Sequence, residues 1–254
     1  MIDPGLKFQS KYSELLEDSK DSDDAIIEKV KSFIRDDNFP CVGAKAAQSQ
    51  KLIEYRVYRE LASESSTTSF YLDIHEYLLT LNLEDARVQS FVAIFPETAF
   101  DTEIEFERIL WEQLGDLVEL DKALNVSWAS SVSDDPENPH FSLSIGGHPF
   151  FIVGMHPAAH RGARRSPYTM LVLNSHSQFE KLREDGRFDR LKTIIRKRDL
   201  EIHGSINPSL DDFGNTSEAR QYSGRKITDD WECPIDHAAL ARKTISDPSE
   251  ADND

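Results

Sequence analysis

The residues best equipped for chemistry lie close together between Phe150 and Arg165. An apolar run, Phe150-Phe151-Ile152-Val153-Gly154-Met155, ends on His156-Pro157 and is followed by Arg161, Arg164 and Arg165. An imidazole at a strand end can ligate a metal through its neutral nitrogen. Nearby guanidinium groups can hold carboxylates in a fork. An iron porphyrin needs both, because its iron takes an axial ligand and its propionates take cations. His156 is therefore the candidate metal ligand, with Pro157 stiffening the turn. Arg161, Arg164 and Arg165 are candidate partners for propionates or a substrate carboxylate. The same pattern also suits an ordinary strand, a turn and a solvated basic loop.

Other residues extend the set. His140 precedes the neighbouring apolar run and would share one end of a hairpin with His156, facing the distal side or a propionate. His156 and His160 form an H-x3-H pair, which on a helix would put both rings on one face, as in zinc sites. Cys41 follows Pro40 and could sit at a helix N-terminus, where the dipole favours thiolate. It is the second candidate for an axial ligand, and Cys233 stands behind it. In the long segment from Gly204 to Ile235, Glu218 could recognise a guanidinium by paired hydrogen bonds or cap a helix beginning near Ser217. Arg220 and Arg225 could bind anions.

These side chains need elements to position them. Ile26, Ile27, Val30, Phe33 and Ile34 recur at helical spacing, with Asp23 or Asp24 as the N-cap. Leu52 to Leu61 reads as a strand, Ser63 to Ser69 as a polar break and Phe70 to Leu83 as an amphipathic helix. Val88 to Phe95 is a buried strand, and Thr102 to Leu124 a long helix. Phe141–Ile145 and Phe150–Met155 flank Gly146-Gly147, the pattern of a β-hairpin. Met170 to Leu173 is a further strand. Phe179 to Leu200 holds helix, with a break near Gly186. Strands mixed with helices and a hairpin predict an α+β fold: a mixed or largely antiparallel sheet of about five strands, packed by helices. Residues 1–24 read as a polar N-terminal segment, 25–240 as one domain with a long ordered loop region near its end, and 241–254 as an acidic flexible tail.

Composition narrows the partners. Lys and Arg total 29 against 46 Asp and Glu, a net charge of -17 over 254 residues. A field of that sign repels nucleic acid and anionic lipid. No apolar run reaches the length that spans a bilayer, and the N-terminus reads without a secretory leader. Two cysteines form no disulfide framework. The expectation is a cytoplasmic protein with reduced thiols.

Several segments together resemble the YqcI/YcgG family. They are Phe39-Pro40-Cys41-Val42-Gly43-Ala44, Pro139-His140-Phe141-Ser142, Val153-Gly154-Met155-His156-Pro157 and Arg164-Arg165. The longest comprises Gly204-Ser205-Ile206-Asn207-Pro208, Ser217 to Arg225, and Trp231-Glu232-Cys233-Pro234. The resemblance extends to the haem-dependent guanidino N-hydroxylases of the guanitoxin pathway. It implies haem b, an arginine-like substrate, dioxygen and an external electron donor. Departures at His160 and Ser166 bear on the substrate more than on the cofactor. The alternatives are a non-catalytic haem-binding protein (a carrier or gas sensor) and a non-haem metal or interaction domain.

Overall fold

The computed structural model describes residues 21–85, 87–184, 186–204 and 213–235. Most of the expected polar N-terminal segment, the Ser205–Pro208 block and the expected acidic tail lie outside the described residues. Among the described residues are seven α-helices and a five-stranded sheet. The chain runs α1 (Asp23–Arg35), α2 (Val42–Ser49), β1 (Ile53–Val57), α3 (Glu64–Thr80), β2 (Ser90–Phe95) and α4 (Glu103–Ala123). It continues through β3 (Leu143–Ile145), β4 (His148–Met155), a 3-10 turn (Gly162–Arg164), β5 (Thr169–Ser175), α5 (His176–Glu184), α6 (Arg187–His203) and α7 (Ala219–Tyr222). The strand order is β1-β2-β5-β4-β3. β1 pairs parallel with β2, as a crossover through α3 requires, and the remaining neighbours are antiparallel. The fold is α+β.

Helix starts follow capping chemistry. Ser22, Ser63 and Thr102 cap α1, α3 and α4, each side chain accepting a backbone N–H from the first turn. The α1 cap is therefore Ser22, and Asp23 and Asp24 fill its first turn, where acidic groups suit the helix dipole. The expected polar break at Ser63–Ser69 is the beginning of α3. Its hydroxyls are used internally: Gln113 on α4 donates to the Thr67 hydroxyl at 3.0 Å. The β3–β4 hairpin turns on Gly146 and Gly147, with φ of 63° and 70°, the left-handed pair that a two-residue connection requires. Gly186, with φ of 64°, separates α5 from α6.

Helices cover both faces of the sheet, and strand alternation assigns side chains to each. On one face Phe91, Phe95, Leu171, Leu173, Phe150 and Ile152 pack with Phe70, Phe106, Leu110 and Leu114 of α3 and α4. On the other, Val92, Ile94, Met155 and Met170 pack with Ile26, Val30 and Ile34 of α1. Gly154 lies on the α4 face, where a Cβ would meet Phe106 and the Tyr222 carbonyl oxygen, both at 2.8 Å. No side chain fits there without moving backbone.

Candidate functional site

The α1 face of the sheet is only partly filled by helix. The remaining space is a cavity of about 340 Å³, within the range of small-molecule sites. Its floor is built from aligned strand rows. Val92, Val172 and Val153 sit opposite one another across β2, β5 and β4. Ser90, Asn174 and Phe151 form a second row, and Met170 and Met155 begin a third. The floor is largely apolar, with valine in the first row and Phe151, Met155 and Met170 in the others. Its polar spot is Asn174, whose Oδ1 accepts from the Ser90 hydroxyl at 2.8 Å.

The walls come from Phe39, Pro40 and Cys41 before α2, from Arg161 and Arg164 at the 3-10 turn, and from α6. α6 contributes Phe188, Leu191, Lys192, Ile195, Arg196 and Asp199. Those residues recur every three or four positions and so share one helix face. Phe213, Glu218 and Gln221 close another side.

The structure brings four of the sequence-predicted residues to this cavity: Cys41, Arg161, Arg164 and Glu218. Cys41 is the N-cap of α2, its Sγ accepting from the Ala44 N–H at 3.4 Å. The helix N-terminus favours thiolate, but burial outweighs it and pushes the Cys41 thiol up. Arg161 pairs with buried Asp199 at 2.5 Å. Arg164 is buried and spends its donors on backbone, reaching the carbonyls of Gly154 (2.9 Å), Gln221 (3.1 Å) and Tyr222 (3.3 Å). Burial, and secondarily Arg161, bring its pKa down to about 10. It fastens the 3-10 turn to β4 and α7, so its guanidinium is committed to the fold. Glu218 lies 3.4 Å from Nδ1 of His176, whose Nε2 lies 3.3 Å from Glu180.

The others do not line it. His156 is 1% exposed and stacks on Phe106, ring centroids 4.3 Å apart, with Phe100 edge-on at 6.2 Å. Val153 and Met155 line the cavity, so the residue that follows, His156, turns to the α4 side. Both its ring nitrogens are buried without a hydrogen-bond partner, and burial lowers its pKa. Residues 156–160 do not form a helix, and His160 is exposed, its N–H donating to Glu103. The helical reading of the His156–His160 pair is corrected accordingly. Arg165 donates to the carbonyls of Ala159 and His160. Arg220 donates to those of Thr228 and Trp231 and lies over the Trp231 ring. His140 is exposed, its ring 5.5 Å from that of Phe213. Among the described residues no group of three or more His, Cys, Asp or Glu side chains could hold a metal ion.

The sequence reading missed two groups. Asp199 lies in a basic helix, yet at 3–4 spacing from Ile195 and Arg196 it falls on the cavity face. Glu107 lies in the middle of α4 and organises the segment after α7. It accepts from the Ser223 hydroxyl (2.8 Å), from Arg225 Nε (2.7 Å) and Nη2 (2.6 Å), and from the Trp231 indole N–H (3.3 Å).

Fold and cavity together define an α+β protein with a chamber between one sheet face and its helices. The YqcI/YcgG family model matches residues 30–236, and the chain belongs to the YqcI/YcgG family. No curated protein and no solved structure matches it. Among the described residues no helix is long and apolar enough to cross a membrane.

Proposed function

We propose that this chain is a haem-dependent N-oxygenase that hydroxylates a guanidino or amino nitrogen of an arginine-like substrate. One observation carries the reading: a largely apolar chamber lined by a cysteine, by cationic side chains and by a buried carboxylate. The donor set suits an iron porphyrin. The valine row offers an apolar surface, Cys41 offers a sulfur ligand, and Lys192 and Arg196 of α6 line the same chamber as proposed partners for propionates. The imidazole of His156 is on the wrong side of the sheet to serve, so Cys41 takes the ligand role in this proposal. Its raised thiol pKa is compatible, because a coordinating metal deprotonates a thiol outright.

Bound haem would supply oxygen activation, with electrons from a reductant outside the chain. One oxygen atom goes to the substrate nitrogen and the other leaves as water, consuming two electrons and two protons. The chain's own part is to bind and orient. The apolar floor excludes bulk water, which strengthens every electrostatic contact inside. Asn174 gives the floor a polar anchor. Glu218, a buried carboxylate on the chamber wall, would pair with a cationic nitrogen of the substrate.

The test is turnover. Protein produced with ample haem, given arginine, dioxygen and a reductant, is expected to form hydroxylated arginine, detected by mass spectrometry with a gain of one oxygen atom. A haem-loaded protein that binds dioxygen but never yields that product would instead be a carrier or sensor. A protein that takes up no haem would end the proposal.

A further inference from the structure

His176 stands between two carboxylates that differ in their access to water. It is the first residue of α5, where β5 ends, and its side chain is 5% exposed. Its Nδ1 lies 3.4 Å from Oε1 of Glu218, whose side chain is also 5% exposed and which lines the chamber. Its Nε2 lies 3.3 Å from Oε1 of Glu180, one turn further along α5, with a side chain 44% exposed. The three groups therefore lead in two short steps from the chamber wall to solvent.

Two features set this cluster apart from a fixed ion pair. His176 Nδ1 and Glu218 Oε2 are buried and have no hydrogen-bond partner among the described residues, although each such orphan is costly. A polar network kept for stability satisfies its members. Contacts that are long before substrate arrives, and tighten afterwards, are common among groups that pass protons. An imidazole suits the middle position, because it takes a proton at one nitrogen while releasing one from the other.

The remaining neighbours have other engagements. Glu180 also pairs with Arg183. Phe213 packs edge-on to the His176 ring, centroids 4.3 Å apart. His148 on β4 feels the charge of His176, and its Nε2 is hydrogen-bonded to the Ser175 hydroxyl at 2.9 Å. Tyr222 feels the charge of Glu218, and its hydroxyl donates to the Phe150 carbonyl at 3.2 Å.

We infer that Glu180, His176 and Glu218 form a proton relay between solvent and the chamber. A proton from water enters at Glu180. His176 accepts it at Nε2 and releases another from Nδ1 to Oε1 of Glu218, and rotation of that carboxyl group presents it to the chamber. Rotation of the imidazole restores the starting tautomer. No electrons move, and Glu218 returns to the carboxylate form when it gives the proton up. The relay rests on the chamber described above, and under the proposed function it supplies the protons that oxygen activation consumes. It needs no haem to operate.

The experiment follows proton arrival at Glu218 in the full-length protein without haem. An acid jump is read by time-resolved infrared spectroscopy, and the carboxylic-acid band of Glu218 is the one missing in Glu218→Gln. His176→Ala is expected to slow the rise of that band by about tenfold or more, and added imidazole to restore it. Glu180→Gln, a change at the solvent end, is expected to slow it too. Circular dichroism and the thermal midpoint establish that each variant is folded; if His176→Ala does not fold, His176→Gln and Glu180→Gln carry the test. Absence of a band that depends on Glu218, or an unchanged rise in a folded His176 variant, would overturn the relay. So would a slowed rise that imidazole does not restore and that Glu180→Gln does not share, since packing alone would explain it. A His176-dependent rise in a protein that takes up no haem would retain the relay and remove the oxygenase. Hydroxylation of arginine beside a rise indifferent to His176 would retain the oxygenase and remove the relay.

Discussion

His156 and His148 are held with little access to water, and burial makes both reluctant to take a proton. Burial, and secondarily the charge of His176, bring the His148 pKa from 6.5 to about 4. That of His156 is lowered by burial, against an opposing pull from Glu103. A histidine whose folded pKa is depressed contributes stability that is whole above its unfolded pKa. That stability is lost as the pH falls, because the unfolded chain takes protons that the folded one refuses. The urea midpoint is therefore expected to decline from about pH 6.5 towards pH 4, and His148→Gln with His156→Leu should flatten that decline. An equally steep decline in the double variant would show that other groups govern acid sensitivity. Glu107 is the second residue with a large predicted effect. Glu107→Ala would leave Arg225 and the Trp231 N–H without their buried acceptor, and breaking one side of such a pair costs about 3–5 kcal/mol. Denaturant unfolding should show that loss, with proteolysis appearing first near residues 223–235. A loss below about 1 kcal/mol, the size of an exposed pair, would contradict the buried clamp.

At the scale of elements, the regular structure was legible where apolar side chains repeat with a clear period. α1, α4, β2 and the Gly146-Gly147 hairpin all match the sequence reading within a few residues. The start of α3 was hidden because its first turns carry Ser and Thr that are buried through hydrogen bonds, as Thr67 is with Gln113. The candidate site was legible in its residue types but not in its facing. Counting along β4 shows that Val153, Met155 and His156 cannot all share a face. Which face holds the chamber could not be read, because both faces of the sheet are apolar and both are covered by helices. Arg164 looked like an anion binder, and its role as a fastener depends on carbonyls of α7 far away in sequence. Asp199 was obscured by the six Lys and Arg residues of α6, which read as a solvated basic helix.

At the scale of the molecule, the sheet divides two environments. One face forms a closed aromatic core with α3 and α4; the other keeps a chamber under α1, α2 and α6. The segment after α7 is locked to the closed side through Glu107, while Glu218 and Gln221, just ahead of it, face the chamber. In a strongly acidic chain, Arg161, Arg164, Arg183, Lys192 and Arg196 all line this one internal space. The central proposal is that this space, and not the His156 side of the sheet, takes haem. It is tested most directly by the Soret spectra of two variants produced with ample haem. Cys41→Ser keeps a helix cap but removes the sulfur, and His156→Leu keeps the packing but removes the imidazole. The account predicts a lost or shifted band in Cys41→Ser and an unaltered band in His156→Leu. A folded His156→Leu protein without the band, beside a Cys41→Ser protein that keeps it unchanged, would contradict it.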